Sequence, residues 1–171
     1  MRHRAKTERG ADFWQINPKG YVPVLELDDG RRLTENPAIL QYLGDQHAQA
    51  GLVPPCGSPE RYSVLEWLNF IATELHKGFG PINHPKSGPE LKQVYRQRLD
   101  ARFGVLAKAL AGREFLAEEF SVADIYAYYT LRQLRRLDAS AVDGSAVLKP
   151  YYERIAARPA VRAALEAEGV S

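Results

Sequence analysis

Residues 17–39 read Asn-Pro-Lys-Gly-Tyr-Val-Pro-Val-Leu-Glu-Leu-Asp-Asp-Gly-Arg-Arg-Leu-Thr-Glu-Asn-Pro-Ala-Ile, and this stretch decides the fold of the first part of the chain. Pro23 opens the apolar run at 24–27 and has no N–H, so a strand that starts there cannot extend its hydrogen-bond ladder backwards. If the Val22–Pro23 peptide bond is cis, the chain turns sharply and the Val22 N–H and C=O point outward. An extended peptide can then pair with Val22 as one more antiparallel strand.

The second half of this stretch predicts the start of a helix. Asn36 is a favoured N-cap, and Pro37 suits the first helical position because its missing N–H costs nothing there. Free N–H groups at a helix start bind a carboxylate, and the neighbouring Glu35 carboxylate can hold an ammonium. The sequence therefore predicts a receptor for an α-amino acid zwitterion beside a peptide-binding edge, which fits glutathione. Taken singly, each feature also fits a plain hairpin, turned at Asp29-Gly30, and an ordinary helix cap.

The composition indicates an ordinary globular protein. Of the 171 residues, 45% are hydrophobic and 26% are charged, and the net charge of +2 is too small to argue for a nucleic-acid partner. No apolar run reaches membrane-spanning length, and no hydrophobic signal region follows the charged start, so we expect no membrane partner. The single cysteine, Cys56, excludes an internal disulfide and favours a cytoplasmic location.

A proline- and glycine-rich segment at residues 49–59 predicts a linker between two domains. Residues 1–48 before it read as a mixed α/β piece with a short helix, a hairpin and a helix that begins at Pro37. Residues 60–171 after it read as an all-helical domain, with helices predicted at 60–79 and 90–110 and a loop at 78–88. Ser121 and Asp124 are spaced as a capping box, which predicts that a buried helix begins there.

The predicted helix at 60–79 carries two stripes of side chains. The expected core-facing stripe consists of Leu65, Leu68, Ala72, Leu75 and Phe79. The polar stripe beside it consists of Glu66, Asn69, Thr73 and His76. Asn and His on a helix flank are commonly surface groups, but an imidazole in a cleft can stabilise a thiolate or hold a water.

Three segments together carry a resemblance to a known family: Asn-Pro-Lys-Gly-Tyr-Val-Pro, Leu-Thr-Glu-Asn-Pro-Ala-Ile, and Glu-Trp-Leu-Asn-Phe-Ile-Ala-Thr-Glu-Leu-His-Lys-Gly-Phe at 66–79. Over essentially its whole length the chain resembles the bacterial beta-class glutathione S-transferases. The resemblance implies an α+β N-terminal part with a partial thioredoxin-like fold, followed by an all-α bundle. It also implies a homodimer that uses glutathione as co-substrate without a metal. The implied reaction is attack of the glutathione thiolate on an electrophilic small molecule.

The resemblance assigns roles to individual residues. It places Asn69, His76 and Lys77 along the active-site cleft. His76 would lie near the glutathione sulfur, and Asn69 would reach toward the glutathione of a partner subunit. A basic residue of the first segment, Lys6 or Arg4, would reach the glycyl carboxylate. The remaining glutathione contacts fall on the hairpin and helix start already described, at Val22, Pro23, Glu35 and Asn36.

The beginning of the chain departs from the family pattern. Such proteins open with a strand, a helix and a second strand, about thirty residues in all, and this opening carries the catalytic cysteine. Cys56 does not match that cysteine. We therefore expect a shortened reading of a longer gene; the alternatives are a diverged fragment and a partner chain that covers the open hairpin edge.

Two functions follow from these expectations. The first is a glutathione S-transferase, whose activity in this shortened form is open. The second is a catalytically silent relative that binds ligands or proteins. A protein-assembly module is a weaker third interpretation, because a fold alone does not fix a function.

Overall fold

The structure is a computed structural model, and it describes residues 6–170. Residues 6–47, which we call the hairpin region, contain a short helix, a two-stranded hairpin and a longer helix. These elements are α1 (Phe13–Ile16), β1 (Val24–Glu26), β2 (Arg32–Thr34) and α2 (Asn36–Gln46). The two strands are antiparallel with Leu25 opposite Leu33. The predicted turn is confirmed, since the Gly30 N–H donates to the Leu27 carbonyl at 2.9 Å and Gly30 has a φ of +82°.

The chain reaches the hairpin through a tight turn at residues 17–20. The buried Asn17 side chain fixes this turn, because its amide donates to the Tyr21 carbonyl at 2.7 Å and its oxygen accepts from the Lys19 N–H at 3.1 Å. Gly20 has a φ of +70°, and a Cβ at this position would lie 2.3 Å from the Trp14 ring. Only glycine therefore fits under Trp14 in this conformation.

Residues 59–167, which we call the helical region, form a bundle. Its elements are α3 (Pro59–Phe70), a π-helical segment (Ile71–His76), α4 (Phe79–Asn83), α5 (Pro89–Leu110), α6 (Val122–Leu137), α7 (Ala139–Asp143), α8 (Leu148–Ala156) and α9 (Pro159–Ala167). A short 3₁₀ turn, Ala48–Ala50, lies between the two regions. In the part of the chain that the structure describes, no helix is both long and apolar enough to cross a membrane.

Helix α6 lies at the centre of the bundle and packs against α3, the π-helical segment, α7 and α8. Its predicted capping box is confirmed: the Ser121 N–H donates to Asp124 at 2.9 Å, and the Ala123 N–H donates to the Ser121 hydroxyl at 3.2 Å. The buried Asp124 carboxylate also accepts from the Leu116 N–H at 2.9 Å and from the Tyr151 hydroxyl at 2.8 Å. The box therefore joins α6 to a loop and to α8.

The prediction of one continuous helix at 60–79 is wrong. Helix α3 ends at Phe70, the next six residues widen into the π-helical segment, and α4 begins inside the predicted loop. The Lys77 N–H donates to the Ala72 carbonyl, five residues back, at 3.4 Å, and the Thr73 hydroxyl takes up the Asn69 carbonyl at 2.9 Å. A side-chain hydroxyl that bonds back to the helix in this way weakens the regular i→i−4 pattern.

The predicted core stripe of this segment is also partly wrong. Leu65 and Ala72 are only half-buried, whereas the fully buried residues are Val64, Leu68, Ile71 and Leu75. Helix α6 covers α3, and both α5 and α6 contact the π-helical segment. The buried face is therefore set by packing against two neighbours, which the periodicity of one segment does not reveal.

The middle of the segment between the two regions is held in place. Arg61 at the start of α3 is 8% exposed and joins the regions, because its guanidinium donates to the Asp45 carboxylate of α2 at 2.7 and 2.9 Å. It also donates to the Pro54 carbonyl at 3.0 Å, and Val53 beside it is buried. Arg61 thus fixes both α2 and the connecting segment against the helical region.

Candidate functional site

The predicted peptide-binding edge is present and exposed. The Val22–Pro23 peptide bond is cis, which is the condition on which the prediction of an outward-facing Val22 backbone depended. The Val22 side chain is 63% exposed, and β1 begins two residues later at Val24. Within residues 6–170, no hydrogen bond engages the Val22 N–H or C=O. These backbone groups are therefore open to an extended ligand.

The predicted helix cap is displaced by one residue. Helix α2 begins at Asn36 rather than after it, and Glu35 stands at the cap position without a side-chain capping bond. Glu35 has a φ of +70°, which is unusual for a residue other than glycine. The Glu35 carbonyl already accepts from the Ala38 and Ile39 N–H groups, each at 3.0 Å. The helix start therefore offers Asn36, rather than several open N–H groups, to a carboxylate.

The Glu35 carboxylate binds an ammonium group of the protein itself. Lys19 Nζ lies 2.8 Å from Glu35 Oε1 and 2.9 Å from the Thr34 hydroxyl. The hydrogen bond and the charge of Lys19 lower the pKa of Glu35, and Lys77 lowers it further. Sequence reasoning missed Lys19. Its position fifteen residues before Thr34 gave no signal of this contact.

His76 lies at the end of the π-helical segment and is half-buried against α6. Its Nδ1 lies 2.7 Å from the Tyr126 hydroxyl, and its ring also packs against Tyr129 with the centroids 5.2 Å apart. Burial lowers the pKa of His76, and the charge of Lys77 lowers it further. The imidazole is therefore neutral at physiological pH.

Tyr126 connects the two halves of the site. It lies on α6, is 4% exposed, and contacts His76 of the helical region. Burial raises the pKa of Tyr126 to about 12, and the Asn36 side chain of the hairpin region acts on the same hydroxyl and opposes this rise. Sequence reasoning did not single out Tyr126, because helical spacing does not distinguish a buried ring from a buried hydroxyl that contacts a distant histidine.

Other predicted site residues lie at different distances from this centre. Lys77 is exposed, and its charge acts on both Glu35 and His76, so the structure brings these three together. Asn69 is an exposed residue of α3, two turns before His76. Lys6 is exposed, and its backbone pairs with Asp12 in a single antiparallel β-bridge.

Two further predictions need separate comment. Arg4, the alternative to Lys6, lies outside the described residues. Cys56 is exposed and lies in the segment between the two regions. No cluster of three or more His, Cys, Asp or Glu residues within 6–170 is arranged to hold a metal ion.

A cleft of about 220 Å³ opens beside Lys77. Its lining includes Thr73, Glu74, Lys77 and Arg98. Glu74 is ion-paired with Arg102 at 2.6 Å and with Arg98 at 3.2 Å, and both arginines lower its pKa. The cleft therefore shares Lys77 with the candidate site, and its lining does not include His76.

Comparison with known proteins identifies the family. Residues 3–51 match the family model described as "Glutathione S-transferase, N-terminal domain", and residues 70–159 match "Glutathione S-transferase, C-terminal domain". Glutathione S-transferase GstA of Escherichia coli O157:H7 is 39% identical over 168 residues, which cover 98% of this chain and 83% of that protein.

Solved structures show the same likeness. A sphingomonad glutathione S-transferase complexed with glutathione is 44% identical with a TM-score of 0.89, covering 97% of this chain and 83% of that one. The beta-class glutathione S-transferase of Sphingomonas chungbukensis is 43% identical with a TM-score of 0.90, covering 98% and 83%. The predicted fold and family are thereby confirmed, and the chain belongs to the bacterial glutathione S-transferases.

Proposed function

We propose that this protein is a glutathione S-transferase that joins the glutathione thiolate to electrophilic small molecules. One observation carries the proposal: Glu35 and Asn36, which suit the ammonium and the carboxylate of glutathione's γ-glutamyl residue, both act on the pKa of Tyr126, and the Tyr126 hydroxyl lies 2.7 Å from His76 Nδ1. The site therefore combines a zwitterion receptor with an imidazole. The sphingomonad relative, which is complexed with glutathione, supports the same ligand.

Each part of glutathione has a matching group in this site. The exposed Val22 backbone, next to the cis bond to Pro23, pairs with the peptide backbone of the ligand. The Glu35 carboxylate takes the ligand's ammonium, a role supported by the Lys19 ammonium already bound there at 2.8 Å. Asn36 takes the α-carboxylate at the start of α2, where the helix dipole favours negative charge.

The thiol end lies on the helical side. We assign His76 to the glutathione sulfur, because a neutral imidazole can donate a hydrogen bond to a thiolate without adding charge. Lys77, exposed next to it, supplies positive charge that favours the thiolate form. Lys6 is assigned to the glycyl carboxylate on charge alone.

The quaternary and cellular settings are proposals of the same kind. We propose a cytoplasmic homodimer in which Asn69, exposed on α3, reaches the glutathione of the partner subunit. We also propose the division into residues 1–48, a linker at 49–59 and a helical domain at 60–171. Light scattering on the purified protein tests the dimer, and a dissociated monomer at micromolar concentration would contradict it.

Titration calorimetry with glutathione tests the site directly. We expect the unmodified chain to bind glutathione and Glu35→Ala to lose binding, because the ligand's ammonium would have no carboxylate partner. Glu26→Ala is the matched control, since Glu26 is also an exposed hairpin-region carboxylate in an ion pair, 2.8 Å from Arg32. Unchanged affinity in Glu35→Ala would contradict the proposed receptor.

A turnover assay then separates the two functions. Formation of a coloured conjugate from glutathione and an aryl halide, with loss of the halide, would support the transferase. Glutathione binding without any conjugate would support the silent binding module instead. The transferase is favoured, because a relative named as a glutathione S-transferase is 39% identical over 98% of the length of this chain.

A further inference from the structure

We propose that Tyr126 is a positioning residue that holds His76 in the tautomer with its proton on Nε2. The inference rests on the proposed function, in which His76 faces the glutathione sulfur. It goes further by naming which ring nitrogen carries the proton and which side chain imposes that choice.

The contact between the two side chains is short and enclosed. The Tyr126 hydroxyl lies 2.7 Å from His76 Nδ1, and the two rings meet edge to face with centroids 5.7 Å apart at 81°. The Tyr129 ring lies against the same imidazole at 5.2 Å. Packed against two tyrosine rings on α6, the imidazole is held with Nδ1 toward Tyr126, so Nε2 is left to meet a ligand.

Proton counting gives the direction of this hydrogen bond. A tyrosine hydroxyl has one proton to donate and lone pairs with which to accept. The hydrogen bond of the buried Tyr126 hydroxyl joins it to His76 Nδ1 at 2.7 Å, and a buried O–H group is seldom left without an acceptor. The single hydroxyl proton is then directed to His76 Nδ1, which accepts it and leaves the imidazole proton on Nε2.

The protonation states of both partners keep this arrangement in place. Burial, the largest effect, raises the pKa of Tyr126 to about 12, so the hydroxyl retains its proton at physiological pH. Burial also lowers the pKa of His76, so a second imidazole proton is disfavoured. The charge of Lys77 lowers the pKa of His76 further, and the charge of Glu35 adds to the raised pKa of Tyr126.

The tautomer has a chemical consequence. A neutral imidazole protonated at Nε2 donates a hydrogen bond from that atom and cannot take a proton there. His76 therefore stabilises the glutathione thiolate as a donor, rather than acting as the base that removes the thiol proton. Tyr126 acts through His76 and does not itself need to touch the thiol.

Nitrogen NMR on the full ¹⁵N-labelled chain tests the tautomer. The signals of His76, one of four histidines, are identified by their loss in His76→Gln. We expect the unmodified protein to show a protonated Nε2 and an unprotonated, hydrogen-bonded Nδ1. In Tyr126→Phe, which keeps the ring and removes the hydroxyl, we expect a mixture of both tautomers. A protonated Nδ1 in the unmodified protein would overturn the proposal.

Tyr128→Phe is the matched control for the loss of a hydroxyl. Tyr128 is also buried on α6, but its ring stacks on Tyr152 with the centroids 4.9 Å apart. We expect the His76 signals of this variant to match those of the unmodified protein. A tautomer mixture in Tyr128→Phe as well would overturn the assignment to Tyr126, because it would reflect a general disturbance of α6.

Steady-state kinetics supply a second, independent readout. In Tyr126→Phe we expect kcat to fall roughly three- to tenfold, the effect of one neutral hydrogen bond. The KM for glutathione should change less than twofold. A raised KM with unchanged kcat would overturn the proposal, because it would mean that the hydroxyl serves Asn36 and ligand binding instead.

Failure of the proposed function would look different. Absence of glutathione binding by the unmodified chain would contradict that function, while the NMR measurement would still assign the His76 tautomer. A protonated Nδ1 alongside normal glutathione binding would reject only the role given to Tyr126.

Discussion

The two regions of this protein are held together by different means. In the helical region, a continuous core runs through the bundle, and Leu68, Ile71, Leu75 and Leu131 in it have no exposed surface. In the hairpin region, Ile39 is the one buried hydrophobic side chain among residues 6–47, and it is still 6% exposed. That region instead shows polar turns and exposed ion pairs, such as the one between Lys19 and Glu35.

This difference has a functional meaning. Most of the proposed recognition groups for glutathione, Val22, Glu35 and Asn36, lie in the thinly packed region, where backbone groups are open to a ligand. His76 lies in the well-packed region, where burial can shift its pKa. Regions with few buried contacts open most easily, so the receptor depends on its attachment to the bundle for its shape.

The largest expected effect tests the packing contrast itself. Leu68→Ala leaves a cavity in the fully buried core and should lower the free energy of unfolding by about 3–4 kcal/mol. Leu25→Ala, at a half-buried position of β1, should cost about 1–2 kcal/mol. Urea denaturation followed by circular dichroism measures both. Equal losses would break the comparison, because they would show that the hairpin region carries as much stability as the bundle.

The next effect concerns the junction between the regions. Arg61→Met removes a nearly buried guanidinium and leaves Asp45 without its partner, which should cost about 2–3 kcal/mol. We expect the hairpin region to open first, reported by the exposed Trp14 before the change at Trp67 of α3. Fluorescence of single-tryptophan variants separates these two signals.

The control for this change is an exposed ion pair of the hairpin region. Arg31 lies 2.7 Å from Asp29, and its side chain is 78% exposed. Arg31→Met should change the free energy of unfolding by less than about 0.5 kcal/mol. A loss comparable to that of Arg61→Met would mean that exposed pairs, rather than the buried junction, hold the hairpin region.

A smaller effect is expected at Lys19. Its ion pair with Glu35 is exposed on both sides, so Lys19→Met should change stability by less than about 0.5 kcal/mol. The pKa of Glu35 should rise toward its ordinary value, because Lys19 is the largest cause of its lowering. Carboxyl chemical shifts followed through a pH titration measure this change. An unchanged Glu35 pKa would show that Lys77 is the dominant cation at the receptor.

The smallest effect appears only in acid and belongs to the helical region. Hydrogen bonds from Ser140 and Arg96 lower the pKa of Asp138 to about 2 from an ordinary value of 3.8. Asp138 therefore adds stability above its unfolded pKa, and this contribution is lost as the pH falls from about 4 through about 2. Plotted against pH, the urea midpoint of Asp138→Asn should fall less steeply in acid than the midpoint of the unmodified protein. Equal slopes in acid for the two proteins would contradict the lowered pKa of Asp138.

Local chemistry made several features predictable. The hairpin turn needs only Asp29 and Gly30, and the start of α6 needs only Ser121 and Asp124, since each depends on residues three or four positions apart. The exposed edge at Val22-Pro23 follows from the missing proline N–H. These predictions were confirmed, because neighbours along the chain supply all the interactions that they require.

Predictions that depended on neighbours distant in sequence were less accurate. The single helix at 60–79 breaks into three pieces, and its buried face is set by α5 and α6 together. The Asn36 cap moves to Glu35, whose side chain is drawn to Lys19, sixteen residues earlier. The spacing of apolar residues along one helix does not show which side of that helix a distant helix will pack against.

By itself, the sequence determined the family and the order of the elements in the hairpin region, and it singled out Glu35, Asn36 and His76 as candidate residues for a glutathione site, because local spacing and motif chemistry encode these. Only the tertiary structure decided that Lys19 binds Glu35, that Arg61 joins the two regions, and that Tyr126 contacts His76. The Tyr126–His76 contact spans fifty residues. Such contacts arise when packing brings α6 against the π-helical segment, and no repeat or spacing along the chain records that juxtaposition.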